Sequence, residues 1–165
     1  MGVKGGKLLA AYVKKVRAAN QVKKVEVGFY KTARYPDGTP VTNVAAWNQF
    51  GTRRKGKVHS PARPFFTNAL TKARPEVRAT IRSLIDPQTL GFTVPLAQVV
   101  GNQIKGKIQE EIRVLKQPPN APATVAAKRA KTKGARKKKP DAAVANPLID
   151  TGKLRRSTTY KVIRK

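Results

Sequence analysis

Two long stretches with apolar residues at helical spacing constrain the fold of this chain more than anything else in it. In residues 64–85, Phe66, Ala69, Leu70, Ala73, Val77, Ile81, Leu84 and Ile85 fall on one face. In residues 94–115, Ala97, Val100, Ile104, Ile108, Ile112 and Leu115 do the same. Asp86-Pro87 separates them. A kink or break is expected at Pro75, inside the first stretch, because proline donates no N–H and its ring crowds the preceding turn. Gly101 and Gly106 weaken the second helix by about 1 kcal/mol each relative to Ala, or mark close approach of a neighbouring helix.

The remaining ordered segments are short. Residues 4–19 read as an amphipathic helix, with Leu8, Leu9, Tyr12, Val13 and Val16 on one face and Lys14, Lys15 and Arg17 mainly on the other. Val25, Val27 and Phe29 alternate with Glu26 and Gly28, the period of a strand. Tyr35-Pro36-Asp37-Gly38-Thr39-Pro40 is a turn signal, with Pro set to open it and Gly able to take positive φ. A short helix follows, capped by Thr42 or Asn43 and ended by Gly51. Residues 51–63 read as a basic loop. Thr158, Tyr160, Val162 and Ile163 favour a closing strand that pairs antiparallel with residues 25–29. The sum is an α+β fold: a small antiparallel sheet packed with two long helices and an N-terminal helix, plus a basic flexible arm. Residues 1–116 and 147–165 form one domain, and 117–146 form a Pro-rich, then Lys/Arg-rich, arm.

Charge narrows the partners. Thirty-six Lys and Arg face eight Asp and Glu, a formal net charge of +28. Such a surface attracts polyanions and repels its own copies. Eight of the twelve residues 128–139 are basic: Lys128, Arg129, Lys131, Lys133, Arg136, Lys137, Lys138 and Lys139. They are the candidate contacts to nucleic acid or to an acidic protein surface. The run holds no aromatic residue on which single-stranded bases would stack.

Catalytic signatures are thin. Without cysteine there is no thiol nucleophile and no thiolate metal site. Gly51, Gly56 and Lys57 have phosphate-loop spacing, but Val58 stands where that loop needs Ser or Thr. A triad of His59, Asp150 and Ser157 can be written, yet no local motif supports it. Glu110 and Glu111 are adjacent on a helix and point about 100° apart, so both are read as surface residues. No apolar run approaches the roughly 20 residues that span a bilayer, and the N-terminus lacks the apolar core of a secretion signal. No enzyme, cofactor or metal is expected.

Trp47 and Phe50, at i and i+3 on the short helix, suit an interface, since aromatic residues are enriched at contact centres. Arg63, held between Pro61-Ala62 and Pro64-Phe65, suits a bidentate contact to a carboxylate. Candidate subunit or partner contacts are therefore Trp47, Phe50, Arg63, Phe65, Asp150 and Leu154.

Five segments occur in a characteristic order: Val27-Gly28-Phe29, Tyr35-Pro36-Asp37-Gly38-Thr39-Pro40-Val41, Val44-Ala45-Ala46-Trp47-Asn48-Gln49-Phe50-Gly51-Thr52, Pro61-Ala62-Arg63-Pro64-Phe65-Phe66 and Pro147-Leu148-Ile149-Asp150-Thr151-Gly152-Lys153-Leu154-Arg155-Arg156-Ser157. With them, residues 22–160 resemble the neck, or tail-completion, family of long-tailed bacteriophages, which includes relatives of the lambda minor tail protein Z. The resemblance implies a non-enzymatic virion protein, assembled in the host bacterial cytoplasm, that forms a homo-oligomeric ring at the head-proximal end of the tail. Implied partners are the tail terminator, head-completion or portal proteins and the tape-measure protein, with non-specific contact to packaged DNA and none to membrane. The family usually carries Glu where this chain has Asn48 or Gln49, and residues 128–146 are longer and more basic than its pattern. Two other readings stay open: a tail terminator subunit, and a cellular basic nucleic-acid-binding protein.

Overall fold

Apolar faces at helical spacing need partners, and in the computed structural model the two long helices take each other. The structure describes residues 5–85, 87–88, 91–130 and 145–165. In chain order the elements are α1 (Gly5–Ala19), β1 (Val22–Gly28), α2 (Val41–Phe50), β2 (Thr52–Arg54), β3 (Lys57–Ser60), α3 (Phe65–Leu84), α4 (Val94–Val114), α5 (Pro122–Ala130), α6 (Lys153–Arg156) and β4 (Thr159–Arg164). The fold is α+β. β1 and β4 pair antiparallel, with Val25 opposite Val162 and Val27 opposite Tyr160, as the alternation predicts.

Helices α3 and α4 run antiparallel, and their contacts step four residues at a time along both. Lys72 reaches Glu111 at 2.6 Å, Lys107 reaches Glu76 at 2.7 Å, and the Thr80 hydroxyl donates to the Gln103 side-chain oxygen at 3.1 Å. Small residues, Ala69 and Ala73, let the helix axes approach. Glu111 is therefore buried, not a surface residue as expected, and it takes a second donor from Asn68 at 3.3 Å. A carboxylate removed from water needs such partners. α3 continues as one helix through Pro75, while Leu70 and Leu84, assigned to its inner face by spacing, are exposed.

α4 also packs across the β1–β4 ribbon. Gly101 is where they meet. A Cβ there would lie 2.4 Å from Cδ2 and 2.8 Å from Cγ of Tyr160. The close approach is to a strand, not to another helix, and Gly106 faces open space. The core joins Val41, Ala45, Phe65, Ala69, Ile108, Ile112, Leu115, Leu148 and Leu154. Phe65 sits at its centre, edge-to-face with Phe29 and Phe66 at centroid separations of 6.1 and 6.4 Å. Phe65 and Leu154 are thus core residues, not contact residues.

Several boundaries differ from those read by pattern. α2 begins at Val41, after Pro40, without a side-chain cap. Residues 52–60 are not a loop but a two-stranded ribbon, turning through Lys55 and Gly56 at φ 49° and 76°. Residues 122–130 form α5 within the stretch expected as an arm. The apolar side chains of α1 are largely uncovered: Leu8, Leu9, Tyr12 and Val13 are exposed, and the helix is held by Tyr12 donating to the Gln88 carbonyl at 3.1 Å.

Opposite outcomes are expected at the two glycines of α4. Gly101→Val overpacks against Tyr160 and should cost about 1–3 kcal/mol. Gly106→Ala meets nothing and should add up to about 1 kcal/mol. Urea midpoints with unchanged slopes would read both effects.

Candidate functional site

The segments that carry the resemblance are far apart in sequence and meet around one apolar core, where three polar junctions hold the chain. The first joins the end of α2 to the start of α3. Gln49 accepts from the Phe66 backbone N–H at 3.0 Å and donates to the Thr67 hydroxyl at 2.7 Å. It satisfies one of the N–H groups that open a helix, which have no partner inside it. The Arg63 backbone N–H donates to the Asn48 carbonyl at 2.6 Å, closing the same corner.

Arg63 makes the second junction. Its side chain is buried, and the fork lies on carbonyls, not on a carboxylate. Nε donates to Pro118 at 2.9 Å and Nη2 to Pro119 at 3.0 Å, with Nη1 3.4 Å from the Ser60 hydroxyl. Arg63 is therefore an internal clamp on the segment leaving α4, which corrects its assignment as an interface residue. Burial lowers the pKa of its guanidinium.

Asn146 makes the third. Its amide donates to the Arg113 carbonyl at 2.8 Å and the Ile112 carbonyl at 3.3 Å, two of the acceptors left open where α4 ends. Its side-chain oxygen accepts from the N–H groups of Leu148 and Ile149 at 2.8 and 3.0 Å. Lys128 completes the closure, donating to the carbonyls of Asn146 and Ile149 at 2.8 Å each. Lys128 was expected to meet a polyanion; its ammonium instead ties α5 to the segment after residue 145. Arg129 is exposed on α5. Lys131, Lys133, Arg136, Lys137, Lys138 and Lys139 lie outside the described residues.

These junctions leave a groove of about 280 Å³ between the 35–40 turn, α2, α5 and residues 147–154. Trp47, Asp37, Asp150, Thr124 and Lys153 line it. Asp37 accepts from the Thr39 N–H at 3.0 Å, which stiffens the turn and holds its carboxyl below the usual range. Burial pushes the Tyr35 phenol above its ordinary pKa, and the carboxylates of Asp150 and Asp37 act in the same direction. Trp47 is half exposed at the rim, and Phe50 is 78% exposed beside a second, apolar hollow of about 220 Å³ floored by Phe29, Phe65 and Phe66. Of the six candidate contact residues, the structure leaves Trp47, Phe50 and Asp150 on or near the surface.

His59 is exposed on β3, and among the described residues no three of His, Asp and Glu are grouped to hold a metal ion. Sequence reasoning passed over Gln49, Asn146 and Glu111. For Asn146 a signal existed: Asn before Pro favours a side-chain-to-backbone turn. No protein-family model, curated protein or solved structure matches this chain.

The capping role of Gln49 generates a paired expectation. Gln49→Ala should cost about 0.5–2 kcal/mol, as loss of a helix cap does. Gln49→Glu keeps the acceptor and sets a negative charge at a helix N-terminus, adding about 0.3–1 kcal/mol. Thermal unfolding of the two variants would separate them.

Proposed function

We propose that the protein is a structural subunit of the phage neck, forming a ring at the head-proximal end of the tail and helping to join the tail to the DNA-filled head. What supports this most is that all five family-like segments reach one apolar core, through Val27 and Phe29, Tyr35 and Val41, Ala45, Phe65, and Leu148 and Leu154. The Gln49 side chain ties two of them together at the start of α3, and a groove with Trp47 at its rim lies beside residues 35–40 and 147–154.

Exposed apolar side chains add weight. Subunits as basic as these must cover apolar surface or neutralise charge on a partner if they are to assemble. Trp47 and Phe50 on α2, and Leu8, Leu9, Tyr12 and Val13 on α1, are among the exposed groups available. Ring neighbours, the tail terminator, head-completion or portal proteins and the tape-measure protein are the partners in this reading. Residues 131–139 would then face either packaged DNA or an acidic neighbouring surface.

Imaging of the intact particle of a phage that encodes this chain tests the proposal. Density for the chain is expected as a ring between head and tail. Location in the last ring of the tail tube would make it a tail terminator, and absence from the particle would overturn the neck reading in favour of a cellular nucleic-acid binder. Within the neck reading, Trp47→Ser together with Phe50→Ser should lower infectious yield at least about tenfold, the effect of some 1.4 kcal/mol in an assembly equilibrium. The far-UV spectrum of the purified chain should not change.

A further inference from the structure

The β2–β3 ribbon holds the side chains that do least for the fold. Arg53, Arg54, Lys55, Lys57, Val58 and His59 are all exposed. Among the described residues, no side-chain hydrogen bond or ion pair engages Arg53, Arg54, Lys55 or Lys57. No acidic residue occurs between positions 51 and 63. The register sets Arg54 directly opposite Lys57, with Arg53 opposite Val58. Directly opposed residues of an antiparallel pair project from the same face with Cβ atoms about 4.5–5.5 Å apart, and like charges there repel. The local pairing is therefore in conflict with the electrostatics, and an anion seated between the two strands would relieve it.

The ribbon is nonetheless firmly presented. Lys55 and Gly56 both take positive φ, as a tight two-residue hairpin turn requires. At the base, Gly51 lies so close under the chain that a Cβ would be 2.7 Å from the Ser60 carbonyl oxygen and 2.8 Å from the Ala62 nitrogen. Arg63 fastens the adjoining residues to Asn48, Pro118 and Pro119.

We infer that this ribbon lies in the major groove of duplex DNA and holds the flanking phosphate backbone, with Arg54 and Lys57 as paired phosphate ligands and Arg53 and Lys55 beside them. Duplex DNA fits for geometric reasons. Its major groove, about 12 Å wide, admits a two-stranded ribbon, whereas the major groove of A-form RNA is too deep and narrow. Single strands are disfavoured because the ribbon offers no aromatic ring for stacking. The inference concerns ordered residues outside the 128–139 run and does not rest on the neck reading, so either can fail without the other.

The test uses the full chain and a short labelled duplex, with binding followed by fluorescence anisotropy between about 50 and about 200 mM salt. Arg54→Gln with Lys57→Gln should weaken binding about tenfold at the middle of that range. It should also reduce the slope of log affinity against log salt by about 1.8, the value for two lost phosphate contacts. Arg74→Gln with Arg78→Gln removes the same charge from the exposed face of α3 and should change affinity by less than about twofold. Equal losses in the two double variants would overturn the inference, since net charge alone would then account for binding. Equal affinity for duplex RNA of the same sequence would overturn the groove assignment. The melting temperature of the ribbon variant should stay at or above that of the wild type; a fall would assign these residues to folding instead.

Discussion

One buried side-chain amide closes this fold. Asn146 uses both of its N–H groups on the carbonyls that end α4 and its oxygen on two N–H groups of the following turn. That uses both donors and both acceptor lone pairs of the group. Its backbone carbonyl takes Lys128 as well. From this point Leu148 and Leu154 enter the core, and β4 is delivered to β1. The groove beside Trp47 exists because residues 147–154 are set down here and nowhere else. Buried polar groups are costly when unpaired and specifying when fully paired, and Asn146 is of the second kind.

Charge is distributed with a consequence for partners. Glu26, Glu76, Glu110 and Glu111 are all ion-paired within the chain, and Asp37 binds its own turn. These five acids are thus committed to internal order, Glu76 and Glu111 on the α3–α4 seam. The thirty-six basic side chains far outnumber the acids, so the surface field is strongly positive and reaches partners over roughly a Debye length, about 8–10 Å in ordinary salt. In the neck role proposed, assembly would draw on the apolar groups that α1 and α2 expose, and the inferred DNA contact on the β2–β3 ribbon.

The long elements were legible because their signals are periodic. Ile108, Ile112 and Leu115 fall inward as their spacing requires, the alternation of Val25 and Val27 found β1, and Tyr160, Val162 and Ile163 marked β4 as its antiparallel partner. Gly51 ends α2 with positive φ, as a terminating glycine should. The ribbon at 52–60 was not legible, because Arg53, Arg54, Lys55 and Lys57 give no apolar alternation and only Lys55-Gly56 hints at a turn. The site was half legible. Which residue types matter could be read, but not where their side chains point. Arg63, Phe65 and Leu154 look like contact residues in one dimension. Their partners lie tens of positions away: the Arg63 fork finds carbonyls 55 and 56 residues on. Glu111 and Lys128 escaped for the same reason.

Hydrogen–deuterium exchange on Asn146→Ala tests the closure most directly. If this amide holds the returning segment in place, the N–H groups of Leu148 and Ile149 should lose protection, and those of β4 should exchange faster. The α3–α4 seam should keep its native rates, because local openings span free energies up to that of global unfolding. Unchanged protection at Leu148 and Ile149 would contradict the central role given to Asn146, and uniform loss across α3 and α4 would show a general destabilisation instead.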